Sequence, residues 1–500
     1  MPTLSKSKLM AYRQCRKRLW LEVHRPQLLE NTTGAIAAFA VGNVVGEVAR
    51  KIYDPIGVGV KIDVKSDGVE NAIARTTDLI TKNKPIFEAG FTAMGARAFA
   101  DILLPVSEGN TTKWRMVEVK SSTSVKDYHR DDVAVQSYVA RKSGASLAGV
   151  SLAIIDSSWT YPGNENYEGL FTEIDLTEEC LERGIEVETW ISEAQAIVAK
   201  HNEPELTTGP HCKAPFDCGF MAYCSSLEPQ PLQSLNVLPR IATKKLKALI
   251  NDEGVRELAD VPDDLLNTLQ LRVKKHTLEG TVYFDSSGAA TALARHGFPA
   301  YFLDFETINF AVPIWKGTRP YQQIPFQFSV HTLSKIGDLG HAEFLDLSGN
   351  NPSKAFAEAV VASCGEQGPI YVYNAKFEAG RLRELSHQFE SLRRPLDSIV
   401  ARLVDLLPIA EEFYYHPSQK GSWSIKAVLP AIVPALSYEN LPGVKDGGMA
   451  MVAYAEAINP STTEDHREKI EQELLAYCKL DTYAMVRLWQ FFAGRQDLEL

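Results

Sequence analysis

The chain has 500 residues, 45% hydrophobic and 23% charged, the balance of a folded protein too long for one ordinary core, so two or three domains are expected. No apolar run reaches the ~20 residues of a membrane-spanning helix, and the net charge of -11 argues against a protein that coats nucleic acid by charge alone. Seven cysteines, an odd number in a chain without secretory features, point to metal or cluster ligation rather than disulfides.

The opening segment, MPTLSKSKLMAYRQCRKRLW, is basic but lacks an apolar stretch followed by a small-residue cleavage site, which predicts a cytoplasmic protein with no membrane partner. Within residues 1–30, Lys6, Lys8, Arg13, Arg16, Lys17, Arg18 and Arg25 are set against only Glu22 and Glu30. Such a run is either a local patch for phosphate or a solvated helix face. A helical pattern, VGNVVGEVARKIY, then carries Glu47, and the strand-like FADILLPV carries Asp101. In the next strand, KWRMVEVKSS, alternation puts Glu118 and Lys120 on one face. The helical DDVAVQSYVARKSG follows with Gln136 and Tyr138. Two carboxylates and an ammonium converging there could hold a divalent ion, bring water to a phosphodiester and stabilise charge on phosphorus. As plain surface charges on strands, they would need no function.

Immediately after this pattern, HCKAPFDCGFMAYCSS places Cys212, Cys218 and Cys224 at C-x5-C-x5-C spacing, and Cys15 in YRQCRKRLW supplies a fourth thiolate. Tetrahedral zinc sites built from four cysteines commonly use closer pairs, so the wide spacing favours a 4Fe-4S cluster, with Zn2+ as the alternative. Cys180, Cys364 and Cys478 fall outside the pattern. Residues 228–298 open with EPQPLQSLNVLP and continue in helix-patterned segments, a helical connector.

From Tyr301, YFLDFETI starts a new pattern of strands alternating with helices, which predicts a mixed sheet with helices packed on it. Asp304 and Glu306 share a face of that apolar strand, where burying two acids is costly unless metal offsets their charge. YVYNAKFEAGRLREL carries Asn374 and Glu378 at the mouth of a helix, and the closing helix carries Tyr477 and Asp481 at i, i+4. Four carboxylates, Asp304, Glu306, Glu378 and Asp481, match the needs of two-metal phosphodiester hydrolysis with Mg2+ or Mn2+. Asp405 and Lys426 lie between these motifs.

The succession Glu47, Asp101, Glu118-x-Lys120, Gln136 resembles the RecB-type PD-(D/E)XK nucleases, and the one-plus-three cysteine split resembles their iron-sulfur members. It departs from them in having Gly46 and Glu47 where relatives often carry His, and Tyr138 only two residues after Gln136. The second set, with Tyr477, resembles the tyrosine variant of DnaQ-like (DEDD) exonucleases, with Glu378 where that family usually has Asp. The whole resembles bacterial RecB-like proteins with an appended ribonuclease H-like domain. This resemblance implies an α/β chain of three parts: a PD-(D/E)XK nuclease fold with a four-cysteine cluster (1–227), a helical connector (228–298) and a ribonuclease H-like exonuclease (299–500). It further implies Lys120, Gln136 and Tyr477 as catalytic groups, and Glu47, Asp101 and Glu118 as ligands of the first divalent site. The expected substrate is nucleic acid, DNA foremost, in repair, recombination or defence, with a helicase or defence-system protein as a possible partner. Two other readings stay open: only the C-terminal centre cuts while the N-terminal fold clamps DNA, or the chain is an inactive nucleic-acid-binding scaffold.

Overall fold

A computed structural model describes residues 3–30, 33–109, 111–241 and 243–498. The chain is mixed α/β and forms two compact units, Met1–Pro229 with Phe310–Tyr321, and Gln230–Asn309 with Gln322–Leu500. Among the described residues, no helix is long and apolar enough to cross a membrane.

The first unit is built on a seven-stranded sheet of β1 (Leu4–Ser5), β2 (Val60–Lys61), β3 (Ile86–Ala93), β4 (Ala96–Glu108), β5 (Thr111–Lys120), β6 (Leu147–Ile155) and β7 (Phe171–Asp175). Strands β2 to β7 pair in sequence order, and β1 joins alongside β4. Parallel strands need a crossover; helix Asp127–Lys142 supplies it between β5 and β6. Its Val133, Ala134, Val135 and Val139 bury against Trp114, Met116, Val150 and Leu152. On the opposite face Ala49, from helix Thr33–Tyr53, meets Phe87, Ile102, Val117 and Ala153. The alternation that separates these two faces explains why β5 reads apolar on both sides until Glu118.

One break in the ladder creates the site. Strands β4 and β5 stay paired only as far as Ile102↔Val117. Beyond that point β5 continues with β6 to Lys120↔Ile154, while β4 continues with β3 to Ala96↔Ala93. The two halves splay, and the freed amide of Val119 donates to Asp101 Oδ2 at 2.8 Å.

In the second unit, β8 (Tyr283–Phe284) pairs with β14 (Tyr414–Tyr415). The main sheet holds β9 (Ala300–Ile308), β10 (Ile324–Leu333), β11 (Leu339–Leu345), β12 (Ile370–Val372) and β13 (Leu403–Asp405), in the order β11-β10-β9-β12-β13. Strands β9 and β10 are antiparallel, whereas β12 and β13 run parallel to β9. Tyr301, Leu303 and Phe305 face a core of Phe328, Phe356, Val360 and Leu382. Alternation turns Asp304 and Glu306 to the other face, which helix Glu464–Phe492 crosses: Gln327 on β10 donates to Leu474 O at 2.7 Å.

The stretch expected as a separate connector belongs to this second unit. Arg272 donates to Glu411 O at 2.9 Å and Glu412 O at 2.7 Å, and Thr277 hydrogen-bonds Tyr415 at 2.7 Å. With its buried Leu246, Leu249 and Val273, it packs as a layer of that unit.

Candidate metal centres

At the split between β4 and β5, the structure brings together Asp101, Glu118, Lys120 and Gln136. Glu118 is 1% exposed. Burial opposes its charge, but Lys120 and Lys6 more than offset that and hold the carboxyl well below the usual range. Lys120 Nζ lies 2.6 Å from Glu118 Oε1 and also pairs with Asp132. Lys6 Nζ lies 3.1 Å from Glu118 and 3.2 Å from Asp132. Asp101 is pushed well above its ordinary value by burial first and by Glu118 second. Gln136 stands close enough to Glu118 to lower its pKa, yet neither polar atom of its amide completes a hydrogen bond, and Glu118 Oε2 is also unpartnered.

Glu47 is the exception among the expected ligands. Its Oε1 is 2.6 Å from Lys61 Nζ, its other oxygen pairs with Arg50, and the side chain is 48% exposed. Helix Thr33–Tyr53 packs by its apolar face, and that puts Glu47 outward. Tyr138 is also directed elsewhere: it donates to Glu188 at 2.9 Å.

Two residues were missed by sequence reasoning. Asp132 precedes Gln136 by one helical turn, so the i, i+4 rule could have found it. Lys6 carries no such signal, because only the pairing of β1 with β4 delivers its helix, Lys6–Gln14, to the site. A groove runs outward from here, lined by Lys6, Arg13, Lys120, Lys126, Tyr128 and Phe216.

Cys15, Cys212, Cys218 and Cys224 line one small pocket. Cys15 joins helices Lys6–Gln14 and Arg16–His24, and its sulfur caps the second by accepting from Arg18 N at 3.4 Å. Among the described residues, no three of these sulfurs come within 4.8 Å of one another. Burial pushes the thiols of Cys15 and Cys218 up, and that of Cys224 to about 11. Cys180, Cys364 and Cys478 are buried singly elsewhere.

In the second unit, Asp304, Glu306 and Asp481 offer carboxylate oxygens all within 4.8 Å of one another. Glu378, Tyr477, Asn374 and Lys426 line the same cavity. Like charges with little water cannot all ionise cheaply. Burial, then Asp481, raises Glu306 to about 8; burial raises Glu378 to about 8 and Asp481 to about 6; Asp304 is pushed well above its usual range by burial, then Asp481 and Glu306. Glu378 Oε2 is buried without a partner. Asp405 accepts from the amides of Asn374 at 2.9 Å, Ala375 at 3.0 Å and Leu407 at 2.9 Å. Its carboxylate is consumed in fixing the strand end that presents Glu378. Tyr438, absent from the sequence-derived set, donates to Asp481 Oδ1 at 2.6 Å, and Lys426 Nζ lies 5.1 Å and 5.2 Å from the ring centres of Tyr438 and Tyr477.

A family model described as a domain of unknown function (DUF2779) matches residues 301–424, a segment that holds Asp304, Glu306 and Glu378 but ends before Asp481. Comparison with curated proteins finds no match.

Proposed function

We propose that the protein is a divalent-metal-dependent nuclease with two phosphodiester-hydrolysing centres, one in each unit, acting on nucleic acid and on DNA foremost. The observation that carries this reading is the triad of half-buried Asp304 and Glu306 with buried Asp481, whose oxygens lie within 4.8 Å of one another. Carboxylates held this close in a low-dielectric cavity are a poor structural device and a good cation cage. Mg2+ or Mn2+ held by these three and Glu378 would supply a water nucleophile at neutral pH and a counter-charge for the leaving oxygen. Tyr477 and Lys426 line the same cavity; the tyrosine hydroxyl would orient that water and the lysine would add a positive charge near the phosphate. We read this unit as a DnaQ-like, ribonuclease H-like exonuclease domain.

For the first unit we propose a RecB-like PD-(D/E)XK centre, with Asp101 and Glu118 as metal ligands, the Lys120 ammonium orienting the attacking water, and Gln136 beside them. The four cysteines are proposed to hold a 4Fe-4S cluster. One observation favours a second reading, in which this unit only clamps DNA: two ammoniums, Lys6 and Lys120, already neutralise Glu118 and Asp132.

The test is cleavage of end-labelled single- and double-stranded DNA and RNA with Mg2+ or Mn2+, using Glu118→Gln, Asp304→Asn and the double variant. Each single change should remove one class of product, and the double should be inert. Full activity in the double variant would overturn the proposal, whereas loss of all cutting with Asp304→Asn alone selects the clamp reading.

A further inference from the structure

We infer that Lys6 is a phosphate-binding residue of the first unit, its ammonium seating a phosphodiester of the nucleic-acid strand beside Glu118; this deepens the nuclease reading of that unit and rests on it. A lysine ammonium has three N–H donors. Lys6 gives one to Glu118 Oε1 at 3.1 Å and one to Asp132 at 3.2 Å, and among the described residues the third has no protein acceptor. Lys120 bridges the same two carboxylates, with its Nζ 2.6 Å from Glu118. One ammonium therefore already serves the pair, and placing a second there costs desolvation that an anionic ligand would offset.

The spare donor stands on the open side of the cluster. The Lys6 side chain is 24% exposed, against 1% for Glu118 and 9% for Asp132, and it lines the groove that leads outward. Its position is set by the backbone: β1 pairs Leu4 with Ala96 and Ser5 with Arg97, and Leu4 and Leu9 are buried on either side of it. Lys6 also opens the helix Lys6–Gln14, so the positive end of the helix dipole adds to the attraction for an anion. With the Lys120 ammonium orienting the attacking water, Lys6 is the donor left for a non-bridging phosphate oxygen.

The groove beyond it has the chemistry of a longer ligand. It passes Lys126 and Arg13, the latter paired with Asp131 at 3.0 Å, and reaches Tyr128 and Phe216, whose rings meet edge to face 4.7 Å apart. Cations interleaved with aromatic rings suit a nucleic-acid strand, which offers phosphates and bases in turn, better than a free phosphate ion.

The experiment measures binding of fluorescein-labelled single-stranded DNA, duplex DNA and RNA by anisotropy at several salt concentrations, with the full chain in EDTA so that metal-dependent cutting is silent. For the probe that the parent holds best, Lys6→Met should weaken binding by about tenfold and flatten the fall of log affinity with log salt by about one. Lys6→Arg, which restores the charge, should recover the parent slope. Lys8→Met is the control for charge alone: it lies on the same helix with its ammonium 3.1 Å from Glu22, and it should keep the parent slope. Should Lys6→Met not match the parent in thermal unfolding, Lys6→Met combined with Asp132→Asn removes one charge of each sign, leaves Glu118 paired with Lys120, and should show the same flattening. A parent-like slope in the folded Lys6→Met form, or an equal flattening in Lys8→Met, overturns the inference and leaves the nuclease reading standing. A parent that binds none of the three probes overturns both.

Discussion

Tyr438 donates to Asp481 Oδ1 at 2.6 Å, and that bond stabilises the charged form of a carboxyl that burial raises to about 6. Glu306 and Glu378 stand at about 8, against ~4.3 for an unperturbed Glu. Between those values the folded, metal-free protein holds more protons than the unfolded chain, so stability must fall as pH rises from about 5 to 8. In EDTA the melting temperature of this unit should therefore drop over that range, and Mg2+ should reverse the trend at pH 8; a flat profile would refute the site's protonation. Tyr438→Phe removes the donor, raises Asp481 further, and should displace the acidic limb of the pH profile of the proposed exonuclease activity to higher pH. Tyr477 holds the same carboxyl down to a lesser degree, so Tyr477→Phe should lower turnover with a smaller displacement. At this scale legibility followed chain distance. Asp304, Glu306 and Asp481 announced themselves because acids interrupt apolar patterns, whereas Tyr438 and Lys6 look like ordinary residues until folding carries them across 43 and 112 positions to Asp481 and Glu118.

Elements were legible where periodicity was clean and obscure where two strands part. The patterns around YFLDFETI and KWRMVEVKSS correspond to β9 and β5, each apolar enough to be buried and short enough to be a strand. The place where β4 and β5 separate could not be read, since it depends on Asp101 taking a backbone amide that a strand would otherwise use. Glu47 was misplaced for a related reason: helical periodicity identifies its helix but leaves the rotation of that helix over the sheet open. The four cysteines proposed to hold a cluster give a cleaner test. Because Ser is itself a good N-cap, Cys15→Ser should keep the cap on Arg16–His24 while losing the thiolate. If the four cysteines share a cluster, Cys15→Ser and Cys224→Ser should both abolish the visible absorbance and bound iron of anaerobically purified protein. Both should also lower the melting temperature of the first unit and spare the second. Stoichiometric zinc without iron in the parent would select the alternative metal.

At the scale of the whole chain, composition suggested more than one domain, but not that the first unit would be completed by a segment from far downstream. Phe310–Tyr321 clusters with residues 1–229. There Ala311 and Val312 bury with Val45, Val48, Ile155 and Leu170. Tyr161 N donates to Thr318 O at 2.9 Å, Gly317 N donates to Tyr161 O at 2.8 Å, and the Tyr321 hydroxyl donates to Ser121 O. Ser121 directly follows Lys120, so this segment braces the end of the strand that carries Glu118 and Lys120. A fragment ending at Pro229 loses that brace and exposes an apolar patch worth roughly 2 to 3 kcal/mol. It should melt several degrees below the first-unit transition of the full chain and be cut more readily by protease around residues 156–170. Val312→Asp in the full chain should reproduce part of the loss while leaving the Asp304 centre active. A fragment as stable as the intact first unit, with the same Mn2+ affinity, would show that the segment contributes neither to the fold nor to the metal site.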